Sequence, residues 1–326
     1  MAVLVAPDSF KGTYTAAQVA HAVAAGVRAA GAAAVERPLA DGGEGTMDAL
    51  ATALGMQRIP VATVDAWGDP VEAGYALGED GLAVVELAVA SGIALPHAGP
   101  RDPRAADTAG TGILIAAAAA RGARHILVAA GGSATTDGGA GAIEAIRTAG
   151  GLHGARLTVL ADVVTCFEDA ATVFGPQKGA SPDDVAFLTA RLHDLAARLS
   201  RDPRGVPRTG AAGGFAGGMW AVFDAELVSG AATVLDTVGF DDELARADAV
   251  VVGEGRLDEQ TTQGKLIDNV LQRVDRRRPG TPVFAVVGSV SASLGGYADR
   301  FAGILIAGDE DRMRAAGAEV ASRVGH

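Results

Sequence analysis

Residues 128–141 read VAAGGSATTDGGAG, and this stretch decides how the chain around it must fold. The apolar run from Ile126 to Ala130 is short enough to be a buried strand, and a helical pattern follows from Ala142 to Ala149. A strand that passes through glycines into a helix presents backbone N–H groups and the positive helix end together, an arrangement that binds anions such as phosphate. A tight turn that needs glycine only for steric reasons explains the same residues. Both interpretations stay open at this point.

The composition indicates an acidic chain of 326 residues, enough for two domains or one large domain, with 49% hydrophobic residues. The net charge of −12 argues against nucleic acid and anionic membranes as partners. Cys166 is the single cysteine, which excludes a disulfide framework and fits a reducing cytoplasm. No apolar run is long enough to span a membrane. We therefore expect a soluble, cytoplasmic protein that binds anions through local N–H groups, a few cations or a metal ion.

Lysine is rare in this chain. Of 27 basic residues, only Lys11, Lys178 and Lys265 are lysines, and each lies beside a glycine. A lysine retained against such a bias indicates a place where a compact ammonium is needed and a guanidinium does not fit. Chance alone also explains why all three lysines lie beside a glycine.

The two ends of the chain alternate strand-like and helical runs, which predicts parallel strands. The strand-like runs there are Ala2–Ala6, Val35–Leu39, Ala249–Val252, Val283–Val287 and Ile304–Ala307. Hairpin-type turns join three runs in between, which predicts an antiparallel patch: Val61–Val64, Val71–Leu77 and Leu82–Leu87. The simplest architecture is α/β, with a flavodoxin-like parallel-sheet domain formed by residues 1–58 and 237–326 and an inserted mixed α/β domain of residues 59–236. Ligands bind at the carboxyl ends of parallel strands, and we expect the cleft between the two domains.

Five glycine-rich polar loops follow apolar runs, and four of them contain a carboxylate: Asp8–Gly12, Asp41–Gly45, Gly131–Gly139, Gly175–Gly179 and Gly253–Lys265. Phosphoryl transfer requires this mixture, because N–H groups and lysines carry the phosphate charge while carboxylates hold Mg²⁺ or deprotonate the acceptor hydroxyl. For any single loop, a structural turn is the alternative. No Walker A sequence and no G-x-G-x-x-G at a helix start is present.

Nucleophilic and metal-hydrolase chemistry have weaker sequence support. Ser133 does not lie in a G-x-S-x-G motif, so an acyl-transfer hydrolase that uses it would lack a base at recognisable spacing. The six histidines are scattered without the spacing of metal ligands.

At the level of motifs, the chain resembles the bacterial type I glycerate kinase family over nearly its whole length. The matching motifs, in order, are APDSFKG (Ala6–Gly12), ADGGEGT (Ala40–Thr46), GGSATTDGG (Gly131–Gly139), VFGPQKGA (Val173–Ala180), GAAGG (Gly210–Gly214) and GEGRLDEQTTQGK (Gly253–Lys265). All three lysines fall inside these motifs.

This resemblance implies ATP-dependent phosphorylation of D-glycerate to 2-phosphoglycerate with Mg²⁺. ATP and glycerate are thus the expected partners, with a homodimer as the candidate assembly. Lys11 is an expected catalytic residue. The candidates for holding Mg²⁺ or for orienting the acceptor hydroxyl are Asp41, Asp162 and Asp258, with Asp41 and Asp258 preferred for the metal; which of the three is the base stays open. The expected substrate- and phosphate-binding residues are Asp8, Ser9, Gly131, Gly132, Ser133, Thr135, Asp137, Lys178, Glu254, Arg256, Gln260, Thr261 and Lys265.

The chain departs from the family pattern at several places. Thr136 stands where the family usually has Asn, and the segments near 149–156 and 164–172 are shorter than usual. Two alternatives follow: a kinase for a different small sugar acid, and a degenerate paralogue that binds an anionic metabolite or nucleotide without turnover.

Overall fold

The computed structural model describes residues 1–257, 266–291 and 294–325. In chain order, its strands are β1 (Ala2–Pro7), β2 (Ala33–Glu36), β3 (Gln57–Val64), β4 (Pro70–Leu77), β5 (Leu82–Glu86), β6 (His125–Ala129), β7 (Arg156–Leu160), β8 (Glu226–Val228), β9 (Ala249–Leu257), β10 (Val283–Val290) and β11 (Gly303–Ile306). Its α-helices are α1 (Ala16–Ala29), α2 (Thr46–Leu54), α3 (Ala88–Ser91), α4 (Ala109–Ala120), α5 (Ala140–Thr148), α6 (Ala170–Phe174), α7 (Pro182–Ala196), α8 (Phe215–Phe223), α9 (Gly230–Thr237), α10 (Phe240–Leu244), α11 (Leu266–Arg277) and α12 (Glu310–Val324).

The chain divides into two compact units. The first comprises residues 1–41, 48–54 and 231–326, and the second comprises residues 42–47 and 55–230. The sequence-based boundaries at 58/59 and 236/237 stay a prediction, because compactness does not show which part folds by itself. No helix in the described ranges is long and apolar enough to cross a membrane.

The first unit contains a parallel five-stranded sheet in the order β11-β10-β9-β1-β2. Numbered within the unit, this is the 2-1-3-4-5 order of flavodoxin-like folds, so the fold class predicted from the sequence is confirmed. Its core is mostly aliphatic, with Phe10 and Phe284 among its buried members, and α1 and α12 pack closely. A Cβ on Gly26 would lie 1.8 Å from the carbonyl oxygen of Arg314, so this approach requires glycine. Helix α1 begins at a capping box of Thr15 and Gln18.

The second unit contains a mixed six-stranded sheet in the order β3-β4-β5-β6-β7-β8. Strands β3, β4 and β5 are antiparallel, as predicted, and β5 to β8 are parallel. Strand β8 has only three residues, and its sequence offered too short a pattern to be predicted. Because β6 is a central parallel strand, the residues that follow it emerge at the carboxyl edge of the sheet.

A small cluster of buried residues lies apart from the main core of this unit and joins α6 to α7. Its members are Phe167, Ala170, Ala171, Leu188, Leu192 and Ala196. A single 3₁₀ turn (Pro176–Lys178) lies between the two helices, so this cluster carries Lys178. Ser181 caps helix α7, and Pro182 lies in its first turn.

Candidate active site

In the first unit, a cavity of about 490 Å³ opens at the carboxyl ends of β1, β9 and β10. Six of the side chains predicted as site residues line it: Asp8, Ser9, Lys11, Asp41, Glu254 and Arg256. The N–H of Asp8 donates a 2.8 Å hydrogen bond to the carbonyl oxygen of Gly253, which ties the loop after β1 to the end of β9. Three segments that are far apart in the sequence therefore supply one polar cavity.

The charges of this cavity are unevenly balanced. Lys11 is largely exposed, and its Nζ lies 3.8 Å from Oδ2 of Asp41. Burial raises the pKa of the Asp8 carboxyl to about 7, helped by the negative charges of Asp41 and Glu254 and opposed by the Ser9 N–H and by Lys11. The N–H of Ser9 donates to Oδ1 of Asp8 at 2.6 Å. Three carboxyl groups line the cavity beside two basic side chains, Lys11 and Arg256, so acidic groups outnumber basic ones by one.

The carboxyl groups of this cavity fit a bound Mg²⁺ ion. The donor set of Asp8, Asp41 and Glu254 is all oxygen, which is the chemistry that Mg²⁺ prefers. Mg²⁺ usually keeps several waters and uses only one or two protein carboxylates beside substrate phosphates, so three carboxylates on one cavity suffice. The other expected metal ligand, Asp258, lies outside the described residues, as do Gln260, Thr261 and Lys265.

In the second unit, Asp137 fixes the loop of residues 131–139. Its buried carboxylate accepts hydrogen bonds from N–H and Oγ1 of Thr108 at 3.0 and 2.7 Å, and from the N–H groups of Gly139 and Gly141 at 3.1 and 3.0 Å. Its partners are thus the main chain at the start of α5 and the residue before α4. Sequence analysis expected Asp137 to bind substrate or phosphate; the geometry gives it a structural part in holding the loop.

The start of the same loop leaves donors unused. The carbonyl oxygen of Gly132 accepts from Ile93, and the N–H of Ala134 donates to Ser91. Within the described residues, the N–H groups of Gly131, Gly132 and Ser133 have no protein acceptor. A Cβ on Gly131 would lie 2.5 Å from Cα of Gly43, so glycine is required there for close backbone approach.

Lys178 reaches this loop from the turn between α6 and α7. Its Nζ donates to Oγ of Ser133 at 2.8 Å and to the carbonyl oxygen of Thr135 at 2.5 Å. Both partners are uncharged. Burial lowers the pKa of the Lys178 ammonium to about 7, although the charge of Asp137 acts in the opposite direction. Oγ1 of Thr135 is buried and forms no hydrogen bond in the part of the chain that the structure describes.

Asp162 lies beyond the carboxyl end of β7. Its Oδ1 accepts from Oγ of Ser229 at 2.8 Å and from the N–H of Gly230 at 2.9 Å. These two hydrogen bonds orient the exposed carboxylate. The structure therefore holds Asp162 in place beside residues that no motif had indicated.

Three further residues that sequence analysis missed hold these loops. Oε2 of buried Glu86 accepts from the N–H groups of Gly45 and Met47 at 3.0 and 3.2 Å. Arg191 donates to the carbonyl oxygen of Thr136. A Cβ on Gly213 would lie 2.0 Å from the carbonyl oxygen of Thr135. Gly213 lies in the GAAGG motif, which was a usable signal, whereas Glu86 and Arg191 lie in ordinary strand and helix patterns.

Asp65, Asp69 and His97 bring three potential metal-ligand atoms together. The geometry explains them as a turn: Oδ1 of Asp65 accepts from the N–H groups of Trp67 and Asp69, and Oδ2 lies 2.7 Å from Nδ1 of His97. Burial alone would raise the pKa of Asp65, but these hydrogen bonds outweigh it and lower the pKa below its usual value.

Comparison with known proteins identifies the family. The sequence profile described as "Glycerate kinase family" matches residues 3–150 and 147–307. This chain belongs to the glycerate kinase family. A glycerate kinase of Halalkalibacterium halodurans is 37% identical, with 88% of this chain and 85% of that protein aligned. The glycerate 2-kinase of Escherichia coli K12 is 34% identical, with 90% and 87% aligned.

The fold of this glycerate kinase family member also matches a solved structure. A candidate glycerate kinase 2 from Salmonella typhimurium LT2 superposes with a TM-score of 0.87 at 32% identity, over 100% of this chain and 98% of that chain. The family assignment and the α/β fold expected from the motifs are therefore confirmed.

Proposed function

We propose that this chain transfers the γ-phosphoryl group of ATP to D-glycerate and forms 2-phosphoglycerate. The observation that carries the proposal is the convergence of Asp8, Ser9, Lys11, Asp41, Glu254 and Arg256 on one cavity at the carboxyl ends of parallel strands. Membership in the glycerate kinase family supports the same reaction. The name of the Escherichia coli relative supports the 2-position as the acceptor.

Asp41, with Asp8 or Glu254, would hold Mg²⁺ in the first unit. When bound, Mg²⁺ neutralises charge on phosphate oxygens. Lys11, beside Asp41, adds an exposed positive charge to the cavity. Ser9 and Arg256 supply donors for anionic oxygens. This arrangement supports a phosphate- and metal-binding role for the cavity.

In the second unit, Lys178 and the N–H groups of Gly131, Gly132 and Ser133 would bind an anionic group of substrate or product. Lys178 is half-buried and has neutral hydrogen-bond partners, so it gains a counter-ion when an anion binds, which favours the ammonium form. Asp162 is a candidate base, since its carboxylate is oriented by two donors. The choice between Asp41, Asp162 and Asp258 belongs to experiment.

The decisive experiment is a coupled assay of ADP release with ATP, Mg²⁺ and D-glycerate, followed by a panel of small sugar acids. ³¹P NMR of the product distinguishes 2-phosphoglycerate from 3-phosphoglycerate. If the enzyme turns over another acid in preference to glycerate, that acid is the substrate and the proposal is wrong on this point. If folded protein turns over no acid but calorimetry shows that it binds the nucleotide or an acid, the result favours a degenerate paralogue that binds without turnover.

Metal use is tested by omitting Mg²⁺ and by titrating it into wild-type protein and into Asp41→Asn. We expect activity to require the metal and Asp41→Asn to weaken its binding. Gel filtration of the same samples tests the homodimer.

A further inference from the structure

Ser133 and Lys178 form a close pair in the second unit. Nζ of Lys178 lies 2.8 Å from Oγ of Ser133, and the carbonyl oxygen of Thr135 accepts a second hydrogen bond from Nζ. The two residues are 45 positions apart, so no sequence spacing indicated the pair. Within the described residues, Nζ has no carboxylate partner in an ion pair.

The surroundings of this pair favour a neutral amine. Burial without a counter-ion disfavours the ammonium form, and the pKa of Lys178 falls to about 7. Asp137 is the charged group that opposes this, and its carboxylate is already occupied by Thr108, Gly139 and Gly141. Once Nζ loses a proton, its lone pair can accept from Oγ–H of Ser133 while one N–H still donates to Thr135. The amine is then oriented as a base for the hydroxyl.

The main chain around Ser133 provides donors for a developing oxyanion. The N–H groups of Gly131, Gly132 and Ser133 have no protein acceptor in the described part of the chain, while hydrogen bonds between residues 132–134 and residues 91–93 hold this backbone. Preorganised N–H groups of this kind stabilise tetrahedral intermediates of acyl transfer. Nucleophile, base and oxyanion donors are thus present in one loop and one neighbouring side chain.

We propose that Ser133 is a nucleophile activated by Lys178, and that it accepts an acyl group from small activated carboxylic esters. Oγ attacks the ester carbonyl and its proton passes to Nζ. The tetrahedral intermediate collapses, the C–O bond to the alcohol or phenol breaks, and the leaving oxygen takes the proton from Nζ. Water then attacks the acyl-serine, again with Nζ as proton acceptor, and releases the carboxylic acid and free Ser133. This activity is separate from phosphoryl transfer and needs no nucleotide.

The test is acetylation by p-nitrophenyl acetate in the absence of ATP and glycerate. We expect a burst of p-nitrophenolate and an acetyl group mapped to Ser133 by peptide mass spectrometry. The burst rate should rise with pH through about 7 and then level off, as Lys178 loses its proton. Ser133→Ala should abolish the burst, and Lys178→Met should slow it by about 100-fold or more, the usual contribution of a general base. Lys178→Arg should fail in the same way, because a guanidinium cannot be deprotonated.

Ser322→Ala, at an exposed serine of α12, is the matched control and should leave the burst unchanged. An acetyl group found on Lys178 instead of Ser133, or no labelling of wild-type Ser133 above that of Ser322, would overturn the proposal. Because labelling is mapped on wild-type protein, the proposal can be tested even if a variant fails to fold. Since the assay contains neither ATP nor glycerate, its outcome is independent of whether the kinase activity is found.

Discussion

Arg191 on α7 donates 2.7 Å hydrogen bonds from Nη2 to the carbonyl oxygen of Thr136 and from Nη1 to the carbonyl oxygen of Arg104. One guanidinium thus joins α7 to the loop of residues 131–139 and to the segment before α4. Because Lys178 lies just before α7, this link bears on where its Nζ meets Ser133. Thr136, which departs from the family pattern, contributes its main chain here.

We expect Arg191→Met to lower kcat/KM for glycerate by about 10-fold or more, since a hydrogen bond from a charged group contributes roughly 1.5–3 kcal/mol. Arg191→Lys should recover only part of the loss, because lysine lacks the planar fork. The coupled assay with separate kcat and KM is the measurement. Arg198→Met, two residues beyond the end of α7, is the control, because among the described residues the Arg198 side chain hydrogen-bonds only to the carbonyl oxygen of Asp194. Equal effects of the two variants would contradict a positioning role for Arg191.

Asp137→Ala should destabilise the second unit strongly. Four donors would lose their buried acceptor, so we expect the free energy of unfolding to fall by about 3 kcal/mol or more. Asp137→Asn keeps one acceptor oxygen and should lose less. Chemical denaturation measures both, with Asp183→Ala at an exposed site of α7 as the control. A small loss for Asp137→Ala would show that the loop does not depend on this carboxylate.

Gly213→Ala tests close backbone approach. Gly213 and Gly205 both have positive φ, +67° and +70°, but only at Gly213 does an added Cβ meet the main chain, 2.0 Å from the carbonyl oxygen of Thr135. Both substitutions should cost about 1 kcal/mol of backbone strain. Gly213→Ala should in addition displace the loop and lower glycerate turnover, whereas Gly205→Ala should not. Similar kinetics for the two variants would argue against this packing requirement.

The hydrogen bonds to Asp65 predict that the protein loses stability at acidic pH. Because the folded pKa of Asp65 lies below its unfolded value, ionised Asp65 stabilises the fold above the unfolded pKa, near 3.9, and this stability is lost as pH falls through the folded pKa. Asp65→Asn should therefore lower the melting temperature at pH 7 and flatten its fall on acidification. Glu72→Gln, at an exposed residue of β4, is the control. Parallel melting curves for Asp65→Asn and wild type would refute this assignment.

Asp8 predicts the opposite trend. Its folded pKa of about 7 lies above the unfolded value, so the folded state holds the extra proton and stability falls as pH rises from about 4 to 7. Asp8→Asn should gain stability relative to wild type between pH 5 and pH 8, measured by denaturation without metal. The exposed Asp299→Asn serves as control. If Mg²⁺ binds at this carboxylate, adding the metal should remove the difference in stability at pH 8. If Asp8→Asn shows no pH-dependent gain in stability, the raised pKa of Asp8 is wrong.

Local sequence patterns were sufficient for the elements and loops. The glycine pairs around Ser133 and the alternation of strand-like and helical runs each act over a few residues, where the residues themselves set the backbone geometry. Hence the parallel sheet, the antiparallel patch and the loops at strand ends could be predicted. The convergence of six motif residues on one cavity follows because parallel strands end at the same edge.

Long-range packing decided the rest. Sequence alone determined that the stretch from Gly131 to Gly139 is a glycine-rich loop between a buried strand and a helix. Only the tertiary structure decided that Asp137 holds this loop, and that Arg191 donates a hydrogen bond to Thr136, 55 residues away. It also decided that Lys178 donates a hydrogen bond to Ser133. Burial sets the protonation of Lys178, and burial depends on neighbours that no local pattern specifies.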